Sequence, residues 1–247
     1  MKADPAAQRR LLEVQEIDSL VDQLRHLKAH PPQDAEITTL AARRTETPGW
    51  VRDQQIAVED LAAAQAQADA DVEQVKARRK RDQDRIDAGQ ISNPKDLERM
   101  QHEMASLERR IATLEDEELE VMEKLEQAQT GLDALTGDLA EIDARLTTLL
   151  SEREEAGGAL DTRIADAQAR RAPATDGLPE DLLALYDKLR STKNGVGAAL
   201  LRARQCGGCM LTLDAAELSV IRGRAADDVV RCEECSRILV RTDESGL

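Results

Sequence analysis

From Ile37 a single heptad frame runs through Leu40, Val51, Val58, Leu61, Val72 and Val75 to Ile86 without a skip. A second runs from Leu97 through Met104, Ile111, Leu125, Leu139 and Leu146 to Leu149, interrupted only by Glu118. A seven-residue repeat held this long keeps one stripe facing a partner only if the helices under-wind into a left-handed supercoil. The first frame is the weaker, because Arg44, Gln54, Gln65, Arg79 and Asp82 occupy seam positions, so it needs the better-filled second frame as its mate. Composition agrees. Hydrophobic residues make up 41% of the 247, yet aromatic ones only 1% with no Phe, too little bulk for a thick core but enough for a thin seam.

Between the frames, Gly89 is placed to end one helix and Asn93-Pro94 to start the next, with Asn93 as N-cap, Pro94 in the first turn and Asp96 at the positive end of the dipole. These signals favour an intramolecular antiparallel hairpin over a parallel dimer and set Ile37 opposite Leu146. Pro48-Gly49 on one limb then lies near the level of Gly131 and Gly137 on the other, which suggests shared bends. The fold class expected is mainly α: a long antiparallel coiled-coil helical hairpin followed by a small C-terminal β-rich module. Its helical part spans 1–172, with a short helix over about 5–30 and long helices over about 33–87 and 94–170. The short helix carries Leu11, Val14, Ile17, Leu20, Val21, Leu24 and Leu27, a stripe expected to pack near Leu160 and Ile164.

Residues 178–247 form the second part. Leu178-Pro179 opens a short amphipathic helix carrying Leu182, Leu185, Tyr186 and Leu189, and the only four cysteines follow as Cys206-Gly-Gly-Cys209 and Cys232-Glu-Glu-Cys235. A two-residue spacer lets one turn aim two thiolates at one tetrahedral ion. Two matched pairs without a thioredoxin-like context therefore read as one structural Zn²⁺ held by Cys206, Cys209, Cys232 and Cys235, rather than as a redox dithiol. Ala198–Arg204 is expected to be a strand running into the first pair, Asp214–Arg224 a short helix, Asp227–Arg231 the strand entering the second pair, and the residues after Ser236 the strand leaving it. His26, His30 and His102 lie far from the cysteines in sequence and read as surface residues.

A closed four-sulfur site leaves no position for substrate, and no nucleophile-base grouping or phosphate loop is present, so neither an enzyme nor a small-molecule substrate is expected. No apolar run approaches the roughly 20 residues of a membrane span, and the first residues lack the apolar core of a signal peptide, so the expected setting is cytoplasmic and away from membranes. A formal charge of −15 repels polyanions as a whole. The basic surplus is local. Lys76, Arg78, Lys80, Arg81 and Arg85 precede the hairpin turn and Lys95 follows it, while the C-terminal module carries Arg202, Arg204, Arg231, Arg237 and Arg241 among a greater number of acids. These residues are the candidate contacts for a protein partner or for RNA or DNA. The absence of an aromatic residue to stack a base in the module favours protein.

With the hairpin, the Asn93-Pro-Lys-Asp-Leu97 restart, the Leu178-Pro-Glu helix carrying Tyr186, and CxxC…CxxC followed by Arg237-Ile-Leu, the chain resembles the bacterial family of coiled-coil hairpin proteins with a C-terminal C4-type zinc ribbon. Ser236 stands where that family's pattern has Gly. If the position needs φ > 0, the substitution costs about 1 kcal/mol. The resemblance implies a non-enzymatic adaptor or chaperone-like protein, with partners of the kind found in transcription or secretion-related regulation, and RNA binding as the alternative.

Overall fold

A computed structural model describes all residues, Met1–Leu247. In chain order the elements are α1 (Pro5–Ala29), α2 (Asp34–Asp87), α3 (Pro94–Thr175), α4 (Glu180–Thr192), β1 (Ala198–Arg202), β2 (Gln205–Cys206), α5 (Ala215–Gly223), β3 (Val230–Arg231), β4 (Ile238–Val240) and a closing 3-10 turn, Asp243–Ser245.

The residues divide into two compact units, Ala35–Leu150 and Met1–Asp34 with Ser151–Leu247. This division differs from the expected boundary between residues 172 and 178, and α1 and the end of α3 share a core with α4 and the sheet.

Ala35–Leu150 is an antiparallel pair of helices. Every position of the second frame is shielded from solvent, and in the first frame Arg44 alone is exposed. Ion pairs cross the seam between partners placed symmetrically about the turn: Glu36 with Arg145 at 2.7 Å, Arg44 with Asp143, Lys76 with Glu115 at 2.8 Å, Arg79 with Glu108 at 3.0 Å. At the turn, Gly89 takes φ 68, its N–H donates to the Ile86 carbonyl, and that of Gln90 donates to the Arg85 carbonyl. A left-handed residue just beyond a helix end closes its last carbonyls in this way. Asn93 Oδ1 accepts the Lys95 N–H at 3.0 Å, the expected N-cap.

The expected bend at Pro48 is absent as a helix break, since α2 runs through it. The buried Thr47 beside it donates its hydroxyl to the Arg43 carbonyl at 2.8 Å. Opposite, Gly131 leaves the space into which the polar seam residue Gln54 reaches to donate to the Ala128 carbonyl at 2.9 Å. A glycine and a glutamine on facing limbs thus answer each other without interrupting either helix.

In the second unit the strands order β2-β1-β4-β3, with β1/β2 and β3/β4 antiparallel and β1/β4 parallel. Two hairpins are joined through their long strands. Side chains alternate along a strand, so the sheet has two faces. Ala198, Ile238 and Val240 point to one, where Leu11, Val14 and Ile17 of α1 meet Leu182, Tyr186 and Leu189 of α4. Ala199, Leu201 and Leu239 point to the other, packed with Leu218 and Ile221 of α5 and with the cysteines. The N-terminal half of the α1 stripe therefore covers the sheet. Its far end lies along α3, where Lys28 pairs with Asp161 at 2.5 Å.

Sequence reasoning stopped α3 near residue 170, but it continues to Thr175. The Arg10 guanidinium supplies the reason, donating to the terminal carbonyls of Pro173, Ala174 and Asp176. Met1–Ala3 extends the sheet beyond β3: the Ala3 N–H donates to the Asp227 carbonyl at 2.8 Å and the Val229 N–H to the Met1 carbonyl at 3.2 Å.

Candidate metal centre

The turn after β2 and the turn between β3 and β4 present the four cysteines to one another. Cys206 and Cys232 are buried, while Cys209 and Cys235 are partly shielded, and none is disulfide-bonded. The two turns have one design. In each, the residue after the second cysteine is left-handed, Met210 at φ 64 and Ser236 at φ 63, and its N–H donates back to the carbonyl of the first cysteine at 2.8 Å. Ser236 is the position at which the sequence raised this requirement, and Met210 is its equivalent in the first turn. Gly208 is demanded by space, because a Cβ there would stand 2.6 Å from Arg237 Cδ and 3.1 Å from Ala199 Cβ.

The donor set fits zinc. All four Sγ atoms lie within 4.8 Å of one another, with Cys206 to Cys235 at 3.8 Å and Cys209 to Cys232 at 3.9 Å. A tetrahedron with sulfurs about 2.3 Å from a central ion has edges of about 3.8 Å, far longer than a disulfide bond. Burial pushes the Cys206 thiol up, opposed by the N–H groups of Cys209 and Gly208, and pushes Cys232 up to about 12, opposed by those of Cys235 and Glu234. At Cys235 burial also acts upward. It is outweighed by the backbone N–H and guanidinium of Arg237 and by the thiols of Cys232 and Cys209, which bring Cys235 down to about 7. Donors aimed at sulfur are what a buried thiolate cluster needs once a divalent ion replaces its protons.

The candidate arginines of this module divide by what holds them. Arg241 donates to the carbonyls of Ala225 at 2.7 Å, Ala226 at 3.0 Å and Asp228 at 2.8 Å, fastening the loop before β3. Arg237 donates to Lys193 O at 2.7 Å and Val196 O at 3.0 Å, and Arg231 to Ser236 O at 2.8 Å. These three guanidinium groups are engaged by the fold. Arg202 pairs with Glu244 at 3.0 Å, and of these five arginines only Arg204 leaves its guanidinium without a partner.

At the hairpin turn, Lys76 is held by Glu115, and Arg78 by Glu103 and Asp82. Glu103 is taken by Arg78, and Glu108 by Arg79 at 3.0 Å. Lys80, Arg81, Arg85 and Lys95 are exposed and make no ion pair, and so is Arg109.

The polar residues of α1 that fasten the metal-bearing sheet lie outside the sequence-predicted site. Asp18, 4% exposed, accepts from Arg171 Nε at 2.8 Å and from the Tyr186 hydroxyl at 2.9 Å. Gln15 accepts the Gly197 N–H at 2.7 Å and donates to Gly195 O at 2.8 Å, and Gln8 donates to Ala3 O at 2.8 Å. Their spacing carried a signal, since Gln8, Leu11, Gln15, Asp18 and Asp22 follow a heptad frame along a helix whose other stripe is apolar.

Comparison with known proteins accords with this geometry. Residues 14–194 match the CT398-like coiled coil hairpin domain, and residues 205–239 the C4-type zinc ribbon domain. The chain belongs to the CT398-like coiled-coil hairpin family. An uncharacterized protein of Mycobacterium tuberculosis is 33% identical over 243 residues, 98% of each chain. A solved Mycobacterium smegmatis structure is similar with a TM-score of 0.71 at 32% identity, covering 98% of this chain and 100% of that one. CT398 from Chlamydia trachomatis shares the fold, with a TM-score of 0.57 at 20% identity over 95% of this chain and 97% of its own. In this family setting the sulfur quartet is the site of one structural zinc in a zinc ribbon, placed on a sheet that α1 and α4 cover from behind. No helix is long and apolar enough to cross a membrane.

Proposed function

We propose that the protein is a non-enzymatic adaptor working in the cytoplasm, in which the zinc ribbon and the coiled-coil hairpin are contact surfaces for protein partners. A four-sulfur site leaves the zinc no open position, so the metal organises a surface and does not meet a substrate. The observation that carries the reading is the use of Arg231, Arg237 and Arg241 as internal braces on backbone carbonyls. With those groups engaged, Arg204, Arg222 and Arg224 are left as the ribbon's unpaired cations among a greater number of acids, which disfavours phosphate tracking. It does present apolar side chains: Met210 is 64% exposed, Leu211 51% and Val220 54%.

Affinity capture from lysate of the native host, with the full-length protein as bait and nuclease added, tests the reading. Specific proteins retained after nuclease, and weakened by Leu211→Glu or Val220→Glu, are expected. Capture that vanishes with nuclease, or none at all, contradicts it.

A second reading, binding of RNA or DNA, is favoured by one observation: five cations near the hairpin turn, Lys80, Arg81, Arg85, Lys95 and Arg109, have no acidic partner. If it holds, affinity for single-stranded RNA falls with rising salt on a log-log slope of at most about 3.5, set by five phosphate contacts at about 0.7 each. Absence of sub-micromolar binding near physiological salt rejects it.

A further inference from the structure

Charge is not spread evenly along the hairpin. Over Ala112–Glu126 on α3 and Gln55–Gln74 on α2 there are twelve acidic side chains and one basic one, Lys124, with Glu115 and Glu117 reached from outside these spans by Lys76 and Arg110, on a chain whose formal charge is −15. Lys124 approaches only Glu120, at 3.9 Å. The crowding is felt at Glu118, where a hydrogen bond to Asp69, desolvation and the charge of Asp69 all raise the carboxyl above its ordinary value.

Two contacts identify one flank of this segment. Lys76 reaches Glu115 at 2.8 Å, and Asp69, seven residues before Lys76, is the carboxylate whose nearness raises Glu118. Residues four and seven apart on a helix share a face, so the flank marked by Glu115 continues on α3 to Leu119 and Met122. On antiparallel α2 it continues the other way, to Ala66 and Ala62. All four are exposed, Leu119 at 56% and Met122 at 41%. Both lie outside the heptad frame, so the hairpin seam does not require them.

An apolar spot ringed by acids with almost no cations selects its occupant. From these residues the geometry points to a docking site for a cationic amphipathic helix of a partner protein, whose apolar residues at i and i+3 or i+4 cover Leu119 and Met122 while its Lys and Arg meet the surrounding carboxylates. Nucleic acid and anionic lipid are repelled by this segment. A second copy docked face to face would set one acidic surface on another. The inference rests on the adaptor reading and names the chemistry of one partner element.

The test is fluorescence anisotropy of a labelled Leu/Lys peptide of about five helical turns, titrated with the full-length protein. Saturable binding is expected. Leu119→Ser with Met122→Ser should weaken it at least about tenfold, and Glu123→Lys with Glu126→Lys comparably. The same charge change at Glu154 and Glu155, outside the segment, should alter it less than about twofold, since exposed charges more than a Debye length away are screened. No binding, no effect of the serine pair, or equal losses from both lysine pairs overturns the proposal. Self-association of the protein that the serine pair abolishes would assign the patch to a second copy and overturn it too. The peptide titration speaks only to this patch and the lysate capture only to the adaptor reading, so either can fail alone.

Discussion

Replacing Met210 and Ser236 by glycine should tighten zinc binding. Both residues are left-handed, at φ 64 and φ 63, and both are fixed there because their N–H groups close a turn onto the carbonyl of the preceding first cysteine. For a residue with a Cβ that conformation costs about 1 kcal/mol or slightly more, and glycine removes the cost. Little is lost in exchange. Met210 is 64% exposed, and the Ser236 hydroxyl makes no hydrogen bond; its backbone N–H to Cys232 and carbonyl to Arg231 survive the change. The strain exists only when the turns are wrapped around the metal, so its relief appears as affinity: about 1 kcal/mol is roughly a fivefold lower Kd per glycine. Both together should reach about 25-fold if the turns act independently. Competition with a chromophoric chelator measures this, with Met210→Val and Ser236→Val as the opposite perturbation. Unchanged or weaker zinc binding in both glycine variants would refute the strain argument.

Removing the metal, or changing Cys232 to Ser, should loosen α5 and both cysteine turns while leaving α1 to α4 helical, because the opposite face of the sheet is held by the apolar contacts of α1 and α4; far-UV circular dichroism with amide exchange checks both halves. Asp18→Ala should destabilise the unit containing the sheet by about 3 kcal/mol, the low end for breaking a buried ion pair, since Arg171 keeps Asp187 and Arg190 keeps Asp22; urea unfolding reads the loss. The hydrogen bond from Arg145 holds the Glu36 carboxyl below its ordinary value, with the charge of Arg145 adding to it against desolvation. A depressed carboxyl stabilises the fold above its unfolded pKa and the contribution disappears as pH falls through the folded one, so NMR titration of Glu36 should give a midpoint below that of a free glutamate, restored by Arg145→Gln.

The long-range repeat made the hairpin legible, because a seven-residue period over 50 residues has one structural solution and the Gly89 and Asn93-Pro94 signals fix the turn locally. The cysteine spacing likewise carries the metal site in a few residues. Ser236 could be flagged only because glycine was expected there. Met210 gave no such cue, and its conformation follows from the same turn geometry repeated. The docking of α1 on the sheet was not legible, since its apolar stripe says that a partner exists without saying which. The arginines show a related limit. Arg237 reaches a carbonyl 44 residues away and Arg241 several between 13 and 20 away, so their sequence positions do not distinguish a brace from a free surface cation.

Zinc K-edge X-ray absorption on the purified full-length protein tests the central claim most directly. One zinc per chain with four sulfur neighbours at about 2.3 Å is the expected spectrum. Oxygen or nitrogen in the first shell, fewer than four sulfurs, or no stoichiometric zinc would contradict a closed structural site.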